Sequence, residues 1–203
     1  MMRRCFLTVA LVLVAGAFAP AIPAAAAADP AALISNLGSR ALEVLGKDAT
    51  QSQRVARFRE LLREDFDVPG IARFVLGRYW NLATEEQRAE FVRLFEEYVA
   101  LAYSTRLAEY AGETFKVMGS RLDGDGAIVS SQILRPAGQA PIKVDWRLTG
   151  RNGAYKISDV SVDGISMAVT QRSEFASVIQ HNGGQVEGLI AMLRQKTQGS
   201  ITR

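Results

Sequence analysis

A double change of hydrophobic period constrains the fold of this chain more than any other feature. From Leu33 to about Ala111, apolar residues recur at three- and four-residue intervals, as in helices buried on one face. From Phe115 to Val162 they recur at every second residue, as in half-buried strands. From Met167 to Lys196 the helical interval returns. The order of helices, an antiparallel meander and helices predicts an α+β protein.

Local signals mark the joints. Asp29-Pro30 is an N-cap and first-turn pair for a helix carrying Leu33, Ile34, Leu37, Ala41, Val44 and Leu45 up to Gly46. Thr50 with Gln53 is a capping box opening a helix with the stripe Val55, Phe58, Leu61, Leu62 and Phe66. Asp67 and Pro69 start a short helix through Leu76 that Gly77 stops. Thr84 with Gln87 is a second capping box. It opens a long helix to about Ala111 whose apolar face, from Phe91 to Tyr103, is unusually wide. Asp123-Gly124-Asp125-Gly126 joins two strands, Phe115–Leu122 and Ala127–Leu134, as a hairpin. A third strand presents Ile142, Val144, Trp146 and Leu148 on one face. In the fourth, Ala154–Asp163, the apolar phase slips from Tyr155/Ile157 to Val160/Val162, which predicts a bulge or bend. Two helices, about Met167–Gln180 and Gln185–Lys196, follow.

Residues 1–28 contain no acidic residue and follow the plan of an export signal: Arg3 and Arg4, an apolar stretch Phe6–Phe18, then the small residues Ala24–Ala28 with cleavage expected before Asp29. A membrane span needs roughly 20 apolar residues, and Pro20 and Pro23 cut this stretch short. Arg3-Arg4-Cys5-Phe6-Leu7 also resembles a twin-arginine core, so the export route stays open. Cys5, the only cysteine, would leave with the leader, and a mature domain of about 175 residues can build a core without disulfides. Net charge is +3 for the whole chain and falls to near balance once Arg3 and Arg4 are removed. That excludes the clustered basic surface of a nucleic-acid binder.

Catalytic constellations are scarce. With one histidine and one cysteine in the leader, Cys/His metal sites are impossible. His181 precedes Asn-Gly-Gly and reads as a residue satisfying carbonyls at a helix end. Asp123-Gly-Asp125-Gly puts Ala127 and Leu134 where a calcium loop needs oxygen ligands, so it is a turn. No phosphate-binding loop, dinucleotide fingerprint or nucleophile elbow is present. Asp145, beside Trp146, is the most tempting acid, but alternation points it away from the Val144/Trp146 face. What remains is apolar. Periodicity alone leaves open whether those faces enclose a solid core or a cavity.

Two stretches carry a resemblance. Phe66-Asp67 through Leu76-Gly77-Arg78-Tyr79-Trp80, with Thr84-x-x-Gln87-x-x-x-Phe91-x-x-x-Phe95 and Tyr103, resembles the front signature of the MlaC (toluene-tolerance) family. Asp159-Val160-Ser161-Val162-Asp163-Gly164-Ile165-Ser166-Met167 is similar to its strand-to-helix signature, and the likeness in order and spacing runs from about 30 to 197. Gln171 departs from a Tyr-Arg variant carried by many members, and a hopanoid-associated branch stays open.

The resemblance implies a nuclear-transport-factor-like fold: a curved four-stranded antiparallel sheet with a helical cover, enclosing an apolar cavity. It implies a periplasmic carrier, not an enzyme, with no cofactor and glycerophospholipid as cargo. Its partners would be an outer-membrane lipoprotein complex and an inner-membrane ABC transporter with an MCE-domain subunit, and it would serve outer-membrane lipid asymmetry. Two acyl tails hold about 30 methylenes, and at about 0.8 kcal/mol each their exposure costs on the order of 20 kcal/mol, so a shuttle must enclose them. The expected lining is Val144, Trp146, Ile142, Val160, Val162 and Ile165, with Leu76, Tyr79, Trp80 and Tyr103 near the cover. An acid–base enzyme on the same scaffold would need a carboxylate or tyrosine inside the pocket, such as Asp145 or Tyr155 facing inward. An adaptor would have a solid core.

Overall fold

A computed structural model describes residues 29–44, 49–107, 113–136, 138–151 and 153–198. The leader, Cys5, Gly46 and Gly112 lie outside these residues.

The helical half opens with α1 (Pro30–Val44), α2 (Gln51–Asp65) and α3 (Val68–Leu76). A 3₁₀ turn, Gly77–Asn81, leads to α4 (Glu85–Leu107). Both capping boxes form. Thr50 N–H donates to Gln53 Oε1 at 2.8 Å while Gln53 N–H returns a bond to Thr50 Oγ1 at 3.3 Å. The Thr84/Gln87 pair repeats this at 3.1 and 3.2 Å. Asp67 accepts from Gly70 N–H to start α3. Gly77, at φ 58°, ends it in a backbone region that side-chain-bearing residues rarely adopt.

Among the described residues the sheet has five antiparallel strands in chain order: β1 (Thr114–Asp123), β2 (Gly126–Leu134), β3 (Ile142–Arg151), β4 (Ala154–Val162) and β5 (Ile165–Ser166). The expected four strands are thus extended by β5, which pairs Ile165 with Val162 and Ser166 with Ser161 across the Asp163-Gly164 turn. Two paired residues are too short to announce themselves by period. The bulge foreseen in the fourth strand is present. Arg147 pairs with Asp159 and Leu148 with Ile157, so Ser158 is the extra residue and Ile157 and Val160 share one face. A second bulge, at Met118 between Val117 and Gly119, was not foreseen. It leaves no break in the apolar pattern.

Two helices follow among the described residues, α5 (Met167–His181) and α6 (Val186–Gln198). Ser166 caps α5, and in its last turn His181 Nδ1 lies 2.8 Å from the Ser177 carbonyl oxygen, the helix-end position expected for it.

Apolar burial divides into two clusters. One is helical, joining α2, α3, α4, α5 and α6 around Phe91, Phe95 and Phe175. The other lies between α1, α2 and the inner sheet face, around Ile34, Leu37, Leu61, Val129, Leu148 and Ile157. Phe66 packs against both, and the Asp67 N–H donates to Ile157 O at 2.9 Å, pinning the α2–α3 joint to β4.

Candidate functional site

Alternation on β3 sets one wall of a cavity. Val144 and Leu148 are buried and Ile142 and Trp146 half-buried, while Lys143, Asp145 and Arg147 are exposed. Register aligns Val144 with Ser131 and Val162, and Trp146 with Val129 and Val160. These side chains therefore stand together on the inner face. The Trp146 indole N–H is satisfied there: it donates to buried Ser131 Oγ at 2.8 Å, and Ser131 donates on to Val144 O at 3.1 Å. Phe115 meets the indole edge-on, with ring centroids 6.2 Å apart.

The inner face does not close against the helices. A cavity of about 620 Å³ lies between them. Its sheet wall is Phe115, Ile133, Ile142, Val144, Trp146, Val160 and Val162. Its helical wall takes Leu37, Gly38, Ala41 and Leu42 from α1, Phe58, Leu61 and Leu62 from α2, Val68, Ile71 and Val75 from α3, and Phe95, Val99 and Tyr103 from α4. Ile165, 61% exposed, and Leu42, 48% exposed, border the opening. Ile165 lies where the start of β1, the end of β2, the start of β3 and the end of β4 come together.

Seven of the ten residues read from sequence line this cavity: Tyr103, Ile142, Val144, Trp146, Val160, Val162 and Ile165. The other three do not. Leu76, at the end of α3, and Tyr79, in the 3₁₀ turn, are buried in the helical cluster. Trp80 lines a separate open groove with Arg73, Phe74 and Arg172, its ring beneath the Arg88 guanidinium. The reading missed the contribution of α1, α2 and α3. Their apolar stripes were visible in the sequence, but nothing in a stripe says whether it meets a helix or a cavity.

Four acidic residues also border the cavity: Glu96, Glu113, Asp159 and Asp163. Asp159 is structural. It accepts from Ser166 Oγ at 2.6 Å, Ala168 N–H at 3.1 Å and its neighbour Val160 N–H, so it holds the start of α5 against β4. Glu96 accepts from Arg63 Nε at 2.8 Å. Asp145 lies on the opposite sheet face, taking a bond from Ser130 Oγ at 2.6 Å. Tyr155 does turn inward, packing on the sheet-side cluster, but away from the cavity. Among the described residues no cluster of three or more His, Cys, Asp or Glu could hold a metal, and no helix is long and apolar enough to cross a membrane.

Comparison with known proteins places this architecture. The intermembrane phospholipid transport system binding protein MlaC of Haemophilus influenzae is 25% identical over 131 residues, which is 63% of this chain and 60% of that protein. Toluene tolerance protein ttg2D of Pseudomonas putida is 29% identical over 126 residues, 61% of this chain and 58% of that one. The chain thus spans about six-tenths of the length of these curated relatives. A solved phospholipid-binding protein from Ralstonia solanacearum, in complex with a phospholipid, shares the fold with a TM-score of 0.72 at 22% identity, over 85% of this chain and 98% of that chain. The MlaC protein family model matches residues 36–195, from α1 through most of α6, and on that match this chain belongs to the MlaC protein family.

Proposed function

We propose that this protein is a periplasmic carrier of glycerophospholipid, exported by residues 1–28 and released from them before Asp29. It would enclose acyl chains in the sheet–helix cavity and exchange them between an outer-membrane lipoprotein complex and an inner-membrane ABC transporter bearing an MCE-domain subunit. That exchange would maintain the lipid asymmetry of the outer membrane.

The observation that carries the reading is the cavity itself: about 620 Å³, walled almost wholly by aliphatic and aromatic side chains. Hydrocarbon tails gain from leaving water in proportion to the apolar area they bury, and need no directed hydrogen bonds to do so. The name of the Haemophilus relative, and the phospholipid in the Ralstonia neighbour, support the same cargo. Asp145 stands on the outer face and Tyr155 outside the cavity, so neither of these two groups enters it.

Native mass spectrometry of the full chain, purified without detergent, tests this reading. A co-purifying mass equal to a diacyl phospholipid is the expected result. A hopanoid mass would reassign the cargo. Protein that stays empty after incubation with phospholipid vesicles would overturn carriage and favour an adaptor.

A further inference from the structure

The inner sheet face changes character along its length. Register lays its side chains in rows across the central strands. Ile133 and Ile142 form the row at the open end, followed by Ser131, Val144 and Val162. Val129, Trp146 and Val160 form the third row, and each of these three gives side chains to the cavity. The fourth row, Ala127, Leu148 and Ile157, gives none, and its members are at most 2% exposed. Leu148 and Ile157 pack there with Ile34 of α1. The same boundary crosses α1 itself, where Leu37 and Ala41 line the cavity and Ile34, in the turn before, does not. Hydrocarbon entering beside Ile142 and running along β3 therefore meets the Trp146 indole after about 13 Å of strand.

Trp146 is held in place as well as packed. Its indole N–H donates to Ser131 Oγ at 2.8 Å, and the Ser131 proton goes to Val144 O at 3.1 Å, which leaves an oxygen lone pair for the indole. Ser131 is 2% exposed and is the one hydroxyl in these rows. A buried hydroxyl costs free energy unless it is bonded, and this one is bonded on both sides. Phe115 meets the ring edge-on at 6.2 Å and lies against the bare Cα of Gly38 on α1.

We infer that Trp146 is the depth stop of the cavity and that Ser131 positions it, so that cargo is selected by acyl-chain length; this rests on the carrier reading and deepens it. A methylene enclosed by protein is about as well placed as one in a bilayer, whereas each methylene left in water lowers occupancy about fourfold. Tails that stop short of the indole bind alike, and longer ones bind progressively less. A loose ring would yield to long tails and blur that limit. A ring fixed by a hydrogen bond and an edge contact keeps it sharp.

The test offers the full chain vesicles with equal amounts of phosphatidylglycerols that differ only in tail length, from myristoleoyl to erucoyl. Bound lipid is read by native mass spectrometry against the vesicle composition. Wild-type occupancy is expected to stay level for the shorter tails and then to fall. Trp146→Val should move that fall by about three carbons per tail, because a close-packed interior refills the lost indole space with about seven methylenes shared by two tails. Trp146→Phe should move it about half as far, and decides the matter if Trp146→Val does not fold. Ser131→Ala keeps the wall but frees the indole, and should soften the fall from about fourfold to about twofold per methylene. Level occupancy across the wild-type series overturns the depth stop alone, as does a fall that stays at the same length in the folded Trp146 variants or an equal loss at every length. Unchanged steepness in Ser131→Ala overturns the role of Ser131. No uptake of any member by wild type overturns the carrier reading and the depth stop with it.

Discussion

The helical cluster and the sheet-side wall are built from similar residues and reach opposite outcomes. In the helical cluster Phe91, Phe95 and Phe175 interlock, with centroids 5.9 to 6.2 Å apart, and Phe91 and Phe175 are essentially without solvent contact. On the other side Phe115, Trp146, Val160 and Val162 form an apolar surface facing α1 to α4, and about 620 Å³ remains between them. The difference is geometric. Straight helices pack ridge into groove until contact is complete. A sheet carrying bulges at Met118 and Ser158 is bent and twisted, and helices laid across it touch only along part of its face. Composition does not distinguish filler from lining; backbone curvature does.

The sharpest way to break this comparison is to cut into each region in turn. Phe175→Ala removes the ring shared by Phe91, Phe95 and Tyr98 and should cost about 3–5 kcal/mol in urea denaturation. Val144→Glu should behave differently. Its carboxyl would stand against hydrocarbon when lipid is bound, where ionisation is penalised, but can hydrate when the cavity holds water. The variant should keep near-native circular dichroism and lose most co-purifying lipid. A Val144→Glu protein that unfolds as readily as Phe175→Ala would mean that the wall acts as solid core.

Legibility in the sequence follows the same division. The period changes placed helices and strands, and the phase slip after Ile157 announced the Ser158 bulge, because a residue added to one strand moves every later side chain to the other face. The Met118 bulge stayed hidden because Val117 and Met118 are both apolar and Gly119 has no side chain to break the alternation. On the inner sheet face, knowing Val144 gave Trp146, Val160 and Val162 by register. Leu76, Tyr79 and Trp80 were misplaced for want of such a rule. Proximity in sequence to α4 says nothing about which end of that helix meets the sheet. Glu113 was not singled out at all: a lone acid beside a glycine carries no signal until the register shows which way it faces.

A smaller effect is expected within the sheet-side region, where α1 lies close against β1. An added Cβ at Gly38, on α1, would lie 2.3 to 3.0 Å from the Phe115 ring on β1. Gly38→Ala therefore forces either the ring or the helix to move, at about 1–3 kcal/mol. Because Gly38 and Phe115 both line the cavity, the shift should also reduce lipid uptake. Unchanged stability and uptake would show that Phe115 swings aside freely, and that the α1 wall is softer than the helical cluster.

The smallest effect separates the regions by the sign of their response to acid. In the helical block, Arg194 on α6 clasps Glu90 on α4 through Nε and Nη2, both at 2.7 Å, and this bonding holds the Glu90 carboxyl below its ordinary value. At the cavity side, burial pushes the Asp65 carboxyl up, against the pull of its ion pair with Arg40. For Glu90 the unfolded chain binds a proton that the folded chain does not. Its contribution is therefore full above pH 4.5 and is lost as pH falls toward the folded value. For Asp65 the folded chain binds the proton more readily. Its contribution is full below pH 3.8 and is lost as pH rises through the folded value. Around pH 4 the two slopes oppose each other. Urea denaturation across pH 3 to 6 should therefore show a flatter acid limb for Glu90→Gln and a steeper one for Asp65→Asn. Both side chains of the helical pair are partly exposed, so the change should be modest and should shrink in high salt. Identical limbs in both variants would mean that neither region couples its fold to these protons.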